Sequence, residues 1–259
     1  MLGKLMKYEY RATARWFLPL YTALLIFAVI NKYLPPAQVT AIEGAFNIKQ
    51  IITVITMFAY FFLVVGLMVV TFVVVIQRFY KSLLGDEGYL MFTLPVKTWE
   101  HVTSKLFIAL FWNLLSIIIA FGSVLLLIPT QDLRELSRSL KQISEYLWPA
   151  GFIVIIVLCL VSLAFGIIIM YAAIALGHLF NKHKLLASFG MYLGISTLSQ
   201  MIAMLAMPFF IKPLTNSLIA PTPTQFNTLF LGISAVTAAM AVGYFAVTNI
   251  ILKRKLNLE

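Results

Sequence analysis

The groups in this 259-residue chain able to do acid–base, metal or docking chemistry are nine acids, nineteen Lys and Arg, and three histidines. All the acids and histidines lie outside the six long apolar runs, and the basic residues stand at or beyond the ends of those runs. An ionisable group inside the bilayer marks ion coupling, proton relay or catalysis. With none inside a run, a proton-driven carrier is disfavoured. So is an intramembrane metalloprotease, which needs His and Glu at helical spacing. His178 and His183 are flanked by Lys182 and Lys184 with no carboxylate nearby, and they read as an ordinary basic loop rather than a metal pair. The one cysteine, Cys159, excludes an intramolecular disulfide and a cysteine metal cluster, and it reads as a small packing residue. No G-x-x-x-x-G-K-[ST] occurs, so the chain has no P-loop of its own. No cofactor or metal is expected in it.

The acids with the most informative neighbours are in 78–105, RFYKSLLGDEGYLMFTLPVKTWEHVTSK. Asp86 and Glu87 are adjacent, about 100° apart on a helix, and poorly placed as a paired acid and base. They suit a helix N-terminus, where the macrodipole favours negative charge. Gly85 permits the turn before it, and Pro95 stops the helix. Tyr89, Leu90, Met91 and Phe92 cover most of one turn, so an apolar side chain has to meet something. A partner protein fits, because buried aromatics anchor interfaces. By residue type alone, dipping into the headgroups or packing under its own bundle fits equally well.

The elements that would position this stretch follow from composition. The chain is 62% hydrophobic and 11% charged, whereas soluble domains carry about 25% charged residues. This is the composition of an integral membrane protein, one membrane domain over 1–259. The net charge of +10 belongs at headgroups rather than on nucleic acid, because the basic residues cluster at the ends of apolar runs. The expected fold is all-α with six transmembrane helices over about 16–34, 50–77, 106–128, 150–177, 185–211 and 227–252. Residues 1–15 are expected as a short interfacial helix. Residues 130–149 are expected as an external amphipathic helix, on the outer surface or against the loops of its own bundle, beginning near Asp132 and Glu135. Pro213, Pro221 and Pro223 argue against continuous helix through 212–226.

Placing both termini, 78–105 and 178–184 on one side collects 13 of the 19 Lys and Arg there, which by the positive-inside bias makes that side cytoplasmic. Gly190 and Gly194 form G-x-x-x-G, and Ala235, Ala239 and Gly243 repeat the theme in the last span. Such faces let helices approach closely, within one bundle or between copies.

GDEGYLMFTLPV, followed by an aromatic and by Ser104-Lys105 entering a new span, resembles the loop between the second and third helices of ABC permeases of the type-2 class. The opening Leu5-Met6-Lys7-Tyr8-Glu9-Tyr10 resembles the start of those proteins. Together with the six-span layout, the resemblance covers most of the chain. It implies a cytoplasmic coupling helix between spans two and three, docking on a separate ATPase subunit through Asp86, Glu87, Tyr89, Leu90, Met91 and Phe92. ATP and Mg would belong to that subunit, and this chain would not itself be an enzyme. Two permeases, copies or homologues, would pair with two ATPases in a bacterial cytoplasmic membrane and rock to move substrate outward. The apolar interior suggests a hydrophobic or amphipathic cargo. A non-transporting sensor or scaffold that binds an ATPase, or a membrane enzyme, are the other classes the residues admit.

Overall fold

Hydrocarbon offers no hydrogen-bond partner to a peptide group, so an apolar chain must satisfy its backbone within helices. The computed structural model describes residues 2–34, 48–84, 96–147, 150–180, 183–215 and 222–254, and among them no strand occurs. The helices are α1 (Leu2–Tyr33), α2 (Ile48–Phe79), α3 (Thr98–Leu127), α4 (Thr130–Leu147), α5 (Ala150–Gly177), α6 (Lys184–Thr215) and α7 (Pro223–Arg254). A π-helical turn, Tyr80–Leu84, prolongs α2. All but α4 are long and apolar enough to cross a membrane, so the protein is all-helical among the described residues, with six candidate spans.

Several helices outrun the apolar runs. α1 has no break at Arg15–Trp16, so the short N-terminal helix expected there is continuous with the first span. α3 begins at Thr98, two turns before the expected start. α6 continues past Pro208 and Pro213 to Thr215, against the expectation of no continuous helix from 212. α7 begins at Pro223 because Thr222 caps it. The Thr222 N–H donates to Gln225 Oε1 at 2.9 Å, the Gln225 N–H donates to the Thr222 carbonyl at 3.0 Å, and Pro223 occupies the first helical position, where its missing N–H costs nothing. α4 begins directly after Pro129, whose carbonyl accepts from the Leu133 N–H. Its Leu136 and Leu140 are exposed.

The polar ends of these helices are not all solvated. Glu9, His101 and Lys105 are 4%, 2% and 4% exposed, and each interacts with other groups. The expectation that ionisable side chains mark the edges of the apolar runs holds in position. It fails in environment, because helix continues there and buries them. Cys159, expected as a packing residue, is exposed.

The chain divides into two compact units, with boundaries inside helices rather than in linkers. The first comprises Met1–Met6, Val75–Leu110 and Arg138–Glu259. In it α5, α6 and α7 pack on one another. Ile169, Ala172 and Ala173 of α5 meet Ile195 of α6, and Ser199 of α6 shares a 2.8 Å hydrogen bond with Tyr244 of α7. α5 and α6 are in close contact where Gly177 lies against the backbone of Ser188. The second unit comprises Lys7–Val74 and Phe111–Ser137. Its core is aromatic. Trp112 is stacked between Phe17 (centroids 4.6 Å) and Tyr10 (5.3 Å). Tyr21 Oη bonds Ser116 Oγ at 2.8 Å, Ser116 Oγ lies 3.2 Å from Thr71 Oγ1, and Tyr60 bonds Ser123 at 2.9 Å.

Gly190, Gly194, Ala239 and Gly243 are exposed, and no neighbouring atom of the described residues lies within 4 Å of where a Cβ on the three glycines would stand. Among the described residues these glycines make no contact within the bundle, against the packing role expected for them. Gly177 is the glycine that packing requires. A Cβ there falls inside the envelope of Ser188 Cα, N and Oγ, two of them backbone atoms. Gly177→Ala should therefore destabilise the chain by about 2 kcal/mol or more, while Gly194→Ala leaves the detergent-solubilised chain's melting temperature unchanged. Equal melting temperatures for the two variants would contradict the packing described for α5 and α6.

Candidate functional site

Asp86, Glu87, Tyr89, Leu90, Met91 and Phe92 lie outside the described residues. What is described are the two stems that carry them, both in the first unit. The leading stem is the end of α2 and its π-helical turn. Phe79 and Leu83 are completely buried. The Phe79 ring stacks on Tyr171 of α5, with centroids 4.0 Å apart and planes 11° off parallel. Val75, Leu83, Val102, Ile174 and Leu252 join them in one cluster. Both stems therefore share a core with α5 and with the end of α7. An offset aromatic pair adds about 0.5–1.5 kcal/mol beyond its area.

The π-helical turn re-phases the helix just before the polar stretch. Such turns are rare and are found frequently at functional sites. Phe79 and Leu83, one turn apart, are buried in the same cluster, while Tyr80 is turned toward the α5–α6 connection. There its ring lies 5.1 Å from that of His178. Ser82 Oγ donates to the Arg78 carbonyl, a side-chain bond that competes with the regular ladder.

The trailing stem is the start of α3. The Glu100 N–H donates to the Lys97 carbonyl at 2.9 Å, and Thr98 Oγ1 donates to Asn249 Oδ1 of α7 at 2.8 Å. One turn on, Val102 is buried in the same cluster as Phe79. Thus the leading stem is fixed to α5 by ring stacking, and the trailing stem to α7 by a side-chain hydrogen bond. Sequence reading singled out the block these stems carry but missed the supports themselves. Phe79 and Tyr171 are separated by 92 positions and Thr98 and Asn249 by 151, and nothing local to either pair announces the other.

The α5–α6 connection is short and basic. His183 has φ 56°, a left-handed conformation that histidine tolerates better than most residues, and its carbonyl accepts the first helical bond of α6 from the Ala187 N–H at 2.9 Å. His178 is partly buried. Burial pushes its pKa below the ordinary 6.5, and the Lys184 charge pushes in the same direction. Neither histidine is part of a cluster of three or more metal-ligating side chains among the described residues.

No family model, curated protein or solved structure matches this chain.

His178 gives this region a pH dependence. Its folded pKa is depressed, so the unfolded chain binds the proton more readily. The contribution is complete above about 6.5, the unfolded pKa, and is lost as the pH falls from there toward the folded value. The melting temperature should drop between pH 7.5 and 5.5 by more in the unaltered protein than in His178→Gln, and Lys184→Gln should show an intermediate drop. Identical drops in all three would contradict the placement of His178.

Proposed function

We propose that this chain is the membrane subunit of an ATP-driven exporter of the type-2 ABC kind, coupled to a separate ATPase through residues 85–95. The observation that carries the reading is the pairing of the GDEGYLMFTLP block with its two stems, one fixed to α5 through Phe79 and Tyr171 and the other to α7 through Thr98 and Asn249. A block held at both ends on different helices passes any displacement to both. That is the mechanical need of a subunit which hydrolyses nothing itself and must convert a partner's closure into movement of its spans.

In this reading Asp86 and Glu87 begin a short docked helix, and Tyr89, Leu90, Met91 and Phe92 supply the apolar face received by the ATPase. ATP and Mg belong to the partner. The permease acts with a second copy or homologue, in the bacterial cytoplasmic membrane with both termini inside, on a hydrophobic or amphipathic cargo. A sensor that uses the same ATPase contact without transport is the second reading. It would show ATPase binding without substrate flux.

Truncating a buried aromatic anchor costs ~2 kcal/mol or more, about thirtyfold in affinity. Tyr89→Ala with Phe92→Ala should release the ATPase from the tagged permease while the permease still inserts. Asp86→Lys with Glu87→Lys should weaken transport-linked hydrolysis by opposing the helix dipole. Unchanged copurification and hydrolysis in both double variants would remove this block from the mechanism.

A further inference from the structure

The first half of α1 carries four basic residues, Lys4, Lys7, Arg11 and Arg15, and a single acid, Glu9. On one helix, spacings of three, four and four gather the basic residues within roughly 80° of arc and about 16 Å of length. All four are exposed, and none has an ion-pair or hydrogen-bond partner among the described residues. Glu9 is on the opposite side of the helix and is buried.

What this stripe faces is settled by the rest of the same helix. The buried side of α1 runs Glu9, Thr13, Phe17, Tyr21, Leu24, Ala28, and its Phe17 and Tyr21 pack on Trp112. The exposed side continues the register of Lys7, Arg11 and Arg15 into Leu18, Leu25 and Val29, which are 54%, 39% and 44% exposed. An exposed apolar face on a membrane span meets lipid chains. The same face, one or two turns earlier, therefore meets the headgroups of those lipids. Trp16, 64% exposed, marks the passage from one to the other, as interfacial tryptophans do.

We propose that Lys4, Lys7, Arg11 and Arg15 form a binding stripe for the phosphates of anionic phospholipids at the end of the first span. Basic clusters of four to eight residues directly flanking a span bind acidic lipid headgroups. Here the segregation of Glu9 leaves the stripe uncompensated on its lipid side. The headgroup layer is only about 5–8 Å deep, so an upright helix brings only Arg15 and Arg11 into it. Lys7 and Lys4 reach it when the helix leans. Pro19 has no N–H to give the Arg15 carbonyl, which loosens the helix at the junction where leaning would start. The stripe does not depend on the transporter reading, because it would serve any protein of this topology.

The test uses the full-length protein in nanodiscs and native mass spectrometry, counting retained phosphatidylglycerol against phosphatidylcholine. The unaltered protein should retain phosphatidylglycerol at least tenfold better at low salt, and the preference should collapse at 0.5 M salt, where the Debye length is about 4 Å. Lys4→Gln, Lys7→Gln, Arg11→Gln and Arg15→Gln together should abolish the preference, while Lys4→Arg with Lys7→Arg keeps it. Should the quadruple variant fail to insert, Lys7→Gln with Arg11→Gln provides the same reading, with a loss of at least fivefold. A preference absent in the unaltered protein, or one that survives loss of the stripe, overturns the proposal. So does equal competition by soluble glycerophosphate, which would make the stripe a free-phosphate site. A stripe needed only for capture of an acidic protein overturns it as well.

Discussion

A peptide group inside a bilayer has no water to bond, and that constraint governs this molecule at two scales. At the scale of the backbone it forces helix, and it keeps forcing helix beyond the apolar runs until a cap, a turn or a change of surroundings offers the carbonyls another partner. At the scale of side chains it makes each hydroxyl find a bond. Most bond back one turn, as Thr13 does to the Glu9 carbonyl, Thr71 to Leu67 and Thr248 to Tyr244. A few bridge helices, as in Tyr21–Ser116–Thr71, Tyr60–Ser123 and Ser199–Tyr244. Between membrane helices such a bond averages about 0.6 kcal/mol, so these bridges fix which faces meet more than how tightly they hold. Close packing does the holding, and it is most evident at Gly177 and around Trp112.

The number and order of the membrane helices were legible because lipid exposure demands apolar side chains over a length set by the bilayer. Their ends were not. Hydropathy detects side chains that tolerate hydrocarbon, whereas a helix ends where its backbone bonds end. Glu9, His101 and Lys105 look like span borders by type, yet the helix continues around them and their side chains are buried. The α7 start was available in principle, since Thr222-Pro223-Thr224-Gln225 carries a capping signal, but the prolines around it pointed to a loop. Pro208 and Pro213 within α6 show the limit of proline as a stop signal where neighbouring helices and local adjustments take up the freed carbonyls.

The 85–95 block was legible as an oddity, acids and large aromatics between two apolar runs. Its supports were not, because stacking of Phe79 on Tyr171 and bonding of Thr98 to Asn249 are facts of tertiary arrangement. The same holds for the π-helical turn at Tyr80–Leu84, whose sequence, YKSLL, contains no glycine or proline to announce an irregularity. In the coupling proposed above, the two stems would be the feet of a lever. The leading foot is apolar and broad. The trailing foot adds the Thr98–Asn249 hydrogen bond to the burial of Val102 in the same core.

The most direct test of the coupling reading is to place a photo-activated cross-linking amino acid at Tyr89 in the intact protein, illuminate living cells, and identify what becomes attached. The expected product is a covalent adduct with a separate ATP-hydrolysing subunit, lost when the cross-linker is moved to exposed Leu140 of α4. Adducts at Tyr89 only with lipid, or only with the chain's own helices, would contradict it.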